Sequence, residues 1–430
     1  MNRIAIYIFS YICLTALLSC NSFLTIEDPE DRTIPEGYFI TSQKVEQAVI
    51  GVYVDFRRAL LENRAWLVYG EVRAGDIILN EDYGNFVLEQ NLKAANKELT
   101  RLTDWEYFYD VLNNANWVLN LVDETKKDVL SDYEYQLFKG EALALKSLAY
   151  FYLYRIWGSV PSAEKTNFGK VLPKEDVINL SIDFAQQAAQ LLPRILLNID
   201  GIESLELTRY RMNSSAIKII LAEQYLWIGN HNEAYAILSE LQADLLKDKW
   251  ASFGFSLGED ARTNLPQTLF DRNRVVISIE KLDEIYPEGD TRRKFFDISK
   301  ESGTGRLLDN CQNLTKLITL NDYYLLLSEA AWRTERFAEA KTVLSEVANG
   351  ATEDYLEIES SEFKQSLLNE RRRLLIGSGV RFFDLVRFNE VAVHIPQFSQ
   401  QDISDGAVYW PLSEKSLKDN SMTQFPYWQN

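Results

Sequence analysis

Two stretches of this chain share one pattern, and that pattern limits the fold more than any other feature. Residues 221–241 read LAEQYLWIGNHNEAYAILSEL and residues 327–347 read LSEAAWRTERFAEAKTVLSEV. Leu221 aligns with Leu327, Glu223 with Glu329, Glu233-Ala234 with Glu339-Ala340, and Leu238-Ser239-Glu240 with Leu344-Ser345-Glu346. In each copy apolar residues recur at three- and four-residue steps, a short polar turn follows, and the same period resumes. That pattern marks an amphipathic helix pair. Small residues stand where the two helices would approach closely. A lone pair cannot bury its apolar face, so it demands neighbours of the same kind.

The two copies resemble tetratricopeptide repeats, though they are far apart rather than tandem. The rest of the chain agrees with a mainly α fold. In TSQKVEQAVIGVYVDFRRAL, Val45, Ala48, Val49, Val52, Phe56, Ala59 and Leu60 lie on one helix face. In TDWEYFYDVLNNANWVLNLV, Thr103 and Glu106 form a capping-box pattern ahead of a stripe from Trp105 to Val122. Ser131 and Glu134 repeat that signature before a long helix that Gly158 and Pro161 stop. Little β is expected. RVVISIE is the one strand candidate. Residues 71–99 and 250–309 read as irregular, and residues 402–430 as an aromatic tail, packed on the body or frayed. Long loops in a compact chain are usually functional.

The N-terminus reads MNRIAIYIFSYICLTALLSC. Its apolar run of about fifteen residues is too short to span a bilayer and fits the core of a signal peptide over residues 1–19. Leu17, Leu18 and Ser19 lead into Cys20, which resembles a bacterial lipobox, with Cys20 acylated as the new first residue. The alternative is a plain signal peptide cut elsewhere. Several acyl chains on Cys20 would anchor a protein stably at a membrane surface, where one chain is marginal. The formal charge of -18 argues against nucleic acid as a partner. With Cys13 removed and Cys20 acylated, Cys311 has no partner, so no internal disulfide is expected.

Several blocks together resemble the SusD/RagB outer-membrane lipoproteins. PEGYFITSQKVEQAVIGVYVDFR, with Tyr38 and Phe39, resembles the family's opening. KGEALALKSLAYFYLYRIWGSVP resembles its hallmark helix, and YPEGDTRRKFF its Asp-x-Arg turn at Asp290 and Arg292. ERRRLLIGSGVRFFDLVRF resembles its C-terminal signature, with Glu370, Arg371, Arg372, Gly379, Arg381, Phe383, Asp384, Leu385 and Arg387 in place. Leu374, Ser378 and Val380 depart from it. The resemblance implies one SusD-like region over residues 20–430, with an N-terminal part to about residue 250 and a C-terminal part from about 251.

The resemblance further implies a protein on the outer membrane, facing the exterior. It would pair with a SusC-like TonB-dependent transporter and capture oligosaccharides or peptides in its loops. Sugars are held by aromatic faces beside hydroxyl-bonding side chains. From the first loop this points to Arg73, Asp76, Asn80, Tyr83, Asn85 and Phe86. From the second it points to Trp250, Phe253 and Tyr286, with Tyr83 and Trp250 facing one ligand. No cofactor, metal or catalytic residue is expected. The chain has two histidines, His231 and His394, and no Gly-rich phosphate loop. Two rivals stay open: an all-helical polysaccharide-cleaving enzyme using a carboxylate pair, and a tethered helical adaptor that binds only protein.

Overall fold

The computed structural model describes residues 41–125, 129–163, 169–248, 255–257, 275–307, 315–348, 352–420 and 422–429. The expected signal peptide, Cys20, Trp250, Phe253, Cys311 and the part boundary near residue 250 lie outside the described residues.

The chain is built from helices laid side by side. In order, those of six residues or more among the described residues are α1 (Ser42–Leu61), α2 (Asp82–Leu88), α3 (Lys97–Leu102), α4 (Glu106–Thr125), α5 (Asp132–Trp157), α6 (Lys174–Leu191), α7 (Leu205–Tyr210), α8 (Ser214–Trp227), α9 (His231–Asp248), α10 (Ile279–Ile285), α11 (Leu320–Arg333), α12 (Phe337–Val347), α13 (Ser360–Leu374), α14 (Arg381–Arg387) and α15 (Glu414–Asn420). α1 buries Val45, Val49, Val52, Phe56, Ala59 and Leu60, the face its period predicts. It runs antiparallel to α4: Asn114 donates to Asp55 at 2.5 Å and Tyr107 to Glu62 at 2.8 Å. α5 packs between α4 and α6 and is buried on almost every side of its C-terminal half. Its capping box forms as expected, with Glu134 N–H on Ser131 Oγ at 3.2 Å and Ser131 N–H on Glu134 Oε2 at 2.8 Å. Such a cap contributes about 1 kcal/mol.

The two aligned stretches are α8–α9 and α11–α12. Both turns between the helices use a left-handed residue, Gly229 at φ 76° and Glu335 at φ 64°. Ser328 donates to the Ala340 carbonyl at 2.8 Å, so the second pair is laced together inside. The pairs also stack on each other: Tyr323 donates to the Leu238 carbonyl at 3.1 Å and Tyr235 to Glu339 at 2.8 Å. Separation in sequence therefore does not separate them in space.

Short strands fill the gaps. Four form one sheet in the order β1 (Ile78–Leu79), β7 (Val275–Ser278), β9 (Thr304–Leu307) and β8 (Phe296–Ser299). β1 pairs antiparallel with β7, Ile78 opposite Val276. Ile277, Leu282, Ile285, Tyr286 and Phe296 make a small core beside it. Two-stranded pairs are β2 (Val160–Pro161) with β3 (Val171–Leu172), β4 (Leu196–Leu197) with β5 (Glu203–Ser204), and β6 (Phe255–Leu257) with β10 (Thr315–Ile318).

Three sequence expectations are revised. RVVISIE does hold a strand, but only Val275–Ser278. Thr103 and Glu106 do not form a capping box. Thr103 instead closes α3, donating to the Thr100 carbonyl at 2.7 Å, and Asp104 takes the Glu106 N–H at 2.9 Å. A carboxylate one residue nearer does the same capping work. Residues 71–99 are also less irregular than expected. A π-helical turn over Val68–Val72 leads to β1, α2 and the start of α3.

Candidate ligand-binding groove

The loop singled out from the sequence turns inward at its start. Arg73 is buried, and its guanidinium donates to the carbonyls of Ala407, of Val408 at 2.7 Å and of Tyr409 at 3.4 Å. Gln90 closes the arrangement, accepting from Arg73 Nε at 3.3 Å and donating to the Arg73 carbonyl at 3.0 Å. The Phe382 ring lies 4.2 Å from the cation. Burial pulls this guanidinium down to about 9, so it keeps its charge at neutral pH. Asp76 is likewise buried and meets Arg372 at 2.6 and 2.8 Å. Both residues fasten the loop to chain segments some three hundred residues away.

What Arg73 holds is the start of the C-terminal tail, and the tail forms one wall of an open groove. The tail is packed, not frayed. Trp410 N–H donates to the Ile156 carbonyl at 2.8 Å, and Trp410, Leu412 and Trp428 are buried. Gln424 clasps Leu412 with two hydrogen bonds at 3.1 Å, and Trp428 Nε1 donates to the Tyr409 carbonyl at 3.0 Å. Gly406 (φ 95°) permits the reversal; a Cβ there would lie 2.6 Å from the Phe425 ring.

Across from the tail stand residues 92–104. Together they enclose about 750 Å³, lined by Leu92, Lys93, Thr100, Asp104, Lys415, Gln424 and Trp428 among others. A smaller hollow of about 320 Å³ adjoins it, sharing Thr100 and Asp104 and adding Arg101, Glu106 and Tyr107. These volumes suit a small ligand. Lys93 bridges the walls by donating to the Trp428 carbonyl at 2.8 Å. Burial raises the Asp104 carboxyl above the ordinary range, opposed by the Glu106 N–H and by Lys415. Lys415 and Glu106 pair at 3.5 Å with both side chains more than half exposed. The Tyr107 ring is flanked by Arg58 at 4.2 Å and Arg101 at 4.9 Å. The groove therefore mixes apolar lining from Leu92, Leu412 and Trp428 with donors and acceptors from Lys93, Thr100, Asp104, Lys415 and Gln424, the chemistry a polyhydroxylated ligand needs.

The remaining expected site residues divide. Asn80 and Asn85 are exposed and Phe86 is half-buried. They lie in the turn after β1 and on α2, and the Phe86 carbonyl accepts from Asn91 N–H at 2.8 Å, next to the groove wall at Leu92. Tyr83 sits on the same helix but is buried; its hydroxyl donates to the Asn63 carbonyl at 3.2 Å, and burial pushes it up to about 12. Tyr286 is buried in the small core and donates to the Arg373 carbonyl at 2.8 Å. The β1–β7 pairing brings the first loop beside the second, Leu79 opposite Val275. The groove residues Lys93, Thr100, Asp104, Lys415 and Gln424 were not singled out from sequence. The one signal was the polar and aromatic makeup of FPYWQN at the chain's end.

Behind this wall the C-terminal signature is an ionic interior. Arg371 donates to Asp384 at 2.8 Å, and Arg387 to Asp384 at 3.0 Å and to Glu329. Arg292 meets Asp290 at 2.6 Å and Glu370, which also accepts from Tyr355 at 2.7 Å. Glu71 accepts from Gly379 N–H at 3.1 Å and Val380 N–H at 3.4 Å; burial, helped by the charge of Asp76, raises its carboxyl to about 8. Gly379 is needed there: a Cβ at its φ of 75° would lie 2.5 Å from the Trp66 carbonyl oxygen.

Comparison with known proteins bears on both ends of the chain. A SusD-like family described as "Starch-binding associating with outer membrane" matches residues 24–193, and the SusD family matches residues 289–428. The SusD-like protein P38 of Formosa agariphila is 22% identical over 97% of this chain and 97% of its own length. A SusD-like protein of Bacteroides ovatus is 29% identical over 50% of this chain and 38% of its own. Among solved structures, a SusD superfamily protein of Bacteroides thetaiotaomicron shares the fold with a TM-score of 0.79 at 21% identity, covering 90% of this chain and 99% of that one. A laminarin-binding SusD-like protein shares it with a TM-score of 0.69 at 18% identity, covering 90% and 100%. SusD-family proteins are cell-surface substrate-binding lipoproteins that work with SusC transporters to capture glycans, and they bind rather than catalyse. This chain belongs to the SusD/RagB family of outer-membrane nutrient-binding proteins.

Proposed function

We propose that this protein captures an oligosaccharide in the groove between residues 92–104 and the C-terminal tail and passes it to a SusC-like TonB-dependent transporter. An acylated Cys20 holds it in the outer membrane, facing the exterior. One observation supports the reading above the others: an open space of about 750 Å³ whose lining mixes apolar Leu92, Leu412 and Trp428 with polar Lys93, Thr100, Asp104, Lys415 and Gln424. Sugar rings present apolar faces and a ring of hydroxyls, which matches that division of chemistry. Asn80, Asn85 and Phe86 extend the contact surface beyond the groove. Arg73 and Asp76 act from behind, keeping the walls in register.

Titration of the chain from residue 21 with a glycan panel tests the reading. A neutral oligosaccharide is expected to bind, with Asp104→Ala and Lys415→Ala weakening it by about tenfold each, the loss of one charged hydrogen bond. Asn85→Ala and Phe86→Ala should weaken it less. A parent chain that ignores every glycan but binds peptides would replace the ligand class. Labelling with a palmitate analogue that leaves Cys20 unmodified would remove the anchor.

A further inference from the structure

Four exposed apolar side chains, Ile199 the most exposed among the described residues, stand close together in sequence on one short hairpin and the helix after it. Ile199 is 95% exposed, Ile202 63%, Leu205 41% and Tyr210 38%. They belong to the tip of β4–β5 and to α7, which follows directly.

This tip is not a loose loop. Asn198 N–H donates to the Ile202 carbonyl at 2.8 Å, and Gly201 N–H to the Asn198 carbonyl at 3.0 Å. The Asn198 side chain accepts from Asp200 N–H at 3.0 Å and Ile202 N–H at 2.9 Å. Gly201 supplies the left-handed turn residue at φ 74°. The root is fastened too: Leu196 is buried and its N–H donates to Thr208 Oγ1 at 3.0 Å, while Leu197 N–H donates to the Tyr133 hydroxyl at 2.8 Å. A hairpin this well bonded holds two isoleucines out in water, where burial against a partner would be favourable. Rigid presentation of apolar groups lowers the entropy lost on docking.

The charges around the tip select the partner. Residues 198–210 carry Asp200, Glu203 and Glu206 against Arg209. All three carboxylates are exposed, and none pairs with a described residue. An acidic collar disfavours an anionic lipid surface. It also disfavours a second copy of a chain whose formal charge is -18. It fits a protein surface with an apolar hollow and a basic rim.

We propose that the β4–β5 tip, with Ile199 and Ile202 as its anchors, docks into the SusC-like transporter. The proposal rests on the transporter pairing stated above and adds where on this chain the contact is made. The partner surface is then an apolar hollow flanked by Lys or Arg.

The test uses the full acylated chain in its own outer membrane. A photoreactive residue at position 199 is expected to crosslink to the SusC-like transporter. Crosslinking to lipid or to a second copy overturns the assignment. Ile199→Asp with Ile202→Asp should cut the transporter recovered with the chain by about tenfold or more, as losing an anchor cluster does. Glycan affinity of the groove and the circular dichroism spectrum should stay at parent values, since both residues are exposed. Glu203→Lys with Glu206→Lys should lower recovery too, most at low salt. Equal recovery from parent and isoleucine variant overturns the hairpin contact alone. A parent chain that brings down no SusC-like transporter overturns the pairing and this contact together.

Discussion

Arginine and carboxylate do different work in two neighbouring parts of this molecule. Under the C-terminal signature, Arg292, Asp290 and Glu370 meet with side chains 6% exposed or less. At the groove, Lys415 and Glu106 meet at 3.5 Å with both nearly 60% exposed. The first set has lost its water, so each charge depends on its partner. The second keeps its water, so the pair is worth little to the fold and its groups stay free to exchange a neighbour for a ligand. Chemistry alone does not separate structural from binding residues; solvent does.

The largest effect should come from breaking the dry set. Glu370→Leu leaves Arg292 and Arg373 facing an apolar side chain, and an urea unfolding curve should show about 3–5 kcal/mol lost. Pairing that change with Arg292→Met should recover part of it. Full recovery would mean that the pair gives uniqueness rather than stability.

Arg73→Met comes next. It removes the donors that hold the Ala407, Val408 and Tyr409 carbonyls, at about 3 kcal/mol. It should also expose the tail to protease near residue 405 and lower glycan affinity. Lost stability with an intact groove would separate the two regions more sharply than proposed here.

The pH dependence is smaller and has a definite sign. Glu71 holds its proton to about 8 when folded, against an ordinary 4.5. The folded chain thus binds the extra proton, and stability falls as pH rises. The contribution of Glu71 is whole below about 4.5 and is lost as pH climbs through about 8. Glu71→Gln keeps an acceptor for the Gly379 and Val380 N–H groups without the charge. It should flatten that slope and leave the variant more stable than the parent at pH 9. An unchanged slope would place the titration elsewhere.

The smallest change in stability should be at the rim. Lys415→Ala is expected to alter it by under about 1 kcal/mol while weakening the glycan. A variant that unfolds the chain, or leaves the affinity untouched, would erase the contrast between the two regions.

Much of the fold was legible because it is local. The helix pairs, the buried face of α1 and the Ser131–Glu134 cap follow from three- and four-residue spacing within one segment. Thr103 shows the limit of such reading: the Thr103 hydroxyl and the Asp104 carboxylate could each accept from the Glu106 N–H, and backbone geometry chose Asp104. The site was harder to read. Arg73, Asp76, Tyr83 and Tyr286 had the right chemistry and stood in the right kind of segment. Their burial depended on contacts with chain far downstream, which no local pattern records. The groove residues Lys93 and Gln424 carried no motif, because what joins them is a tail folding back across the whole chain.

From the sequence alone came the helical class, the stacking of helix pairs, the family's blocks and the expectation of a lipid-bearing cysteine. These depend on periodicity and residue order, which the chain carries wherever it folds. The tertiary structure alone decided which polar side chains are dry and which are wet. It also decided that the tail closes a groove, and that two isoleucines stand in water. Those outcomes depend on which distant segments exclude solvent from one another, and solvent exclusion belongs to the packed molecule and to no stretch of it.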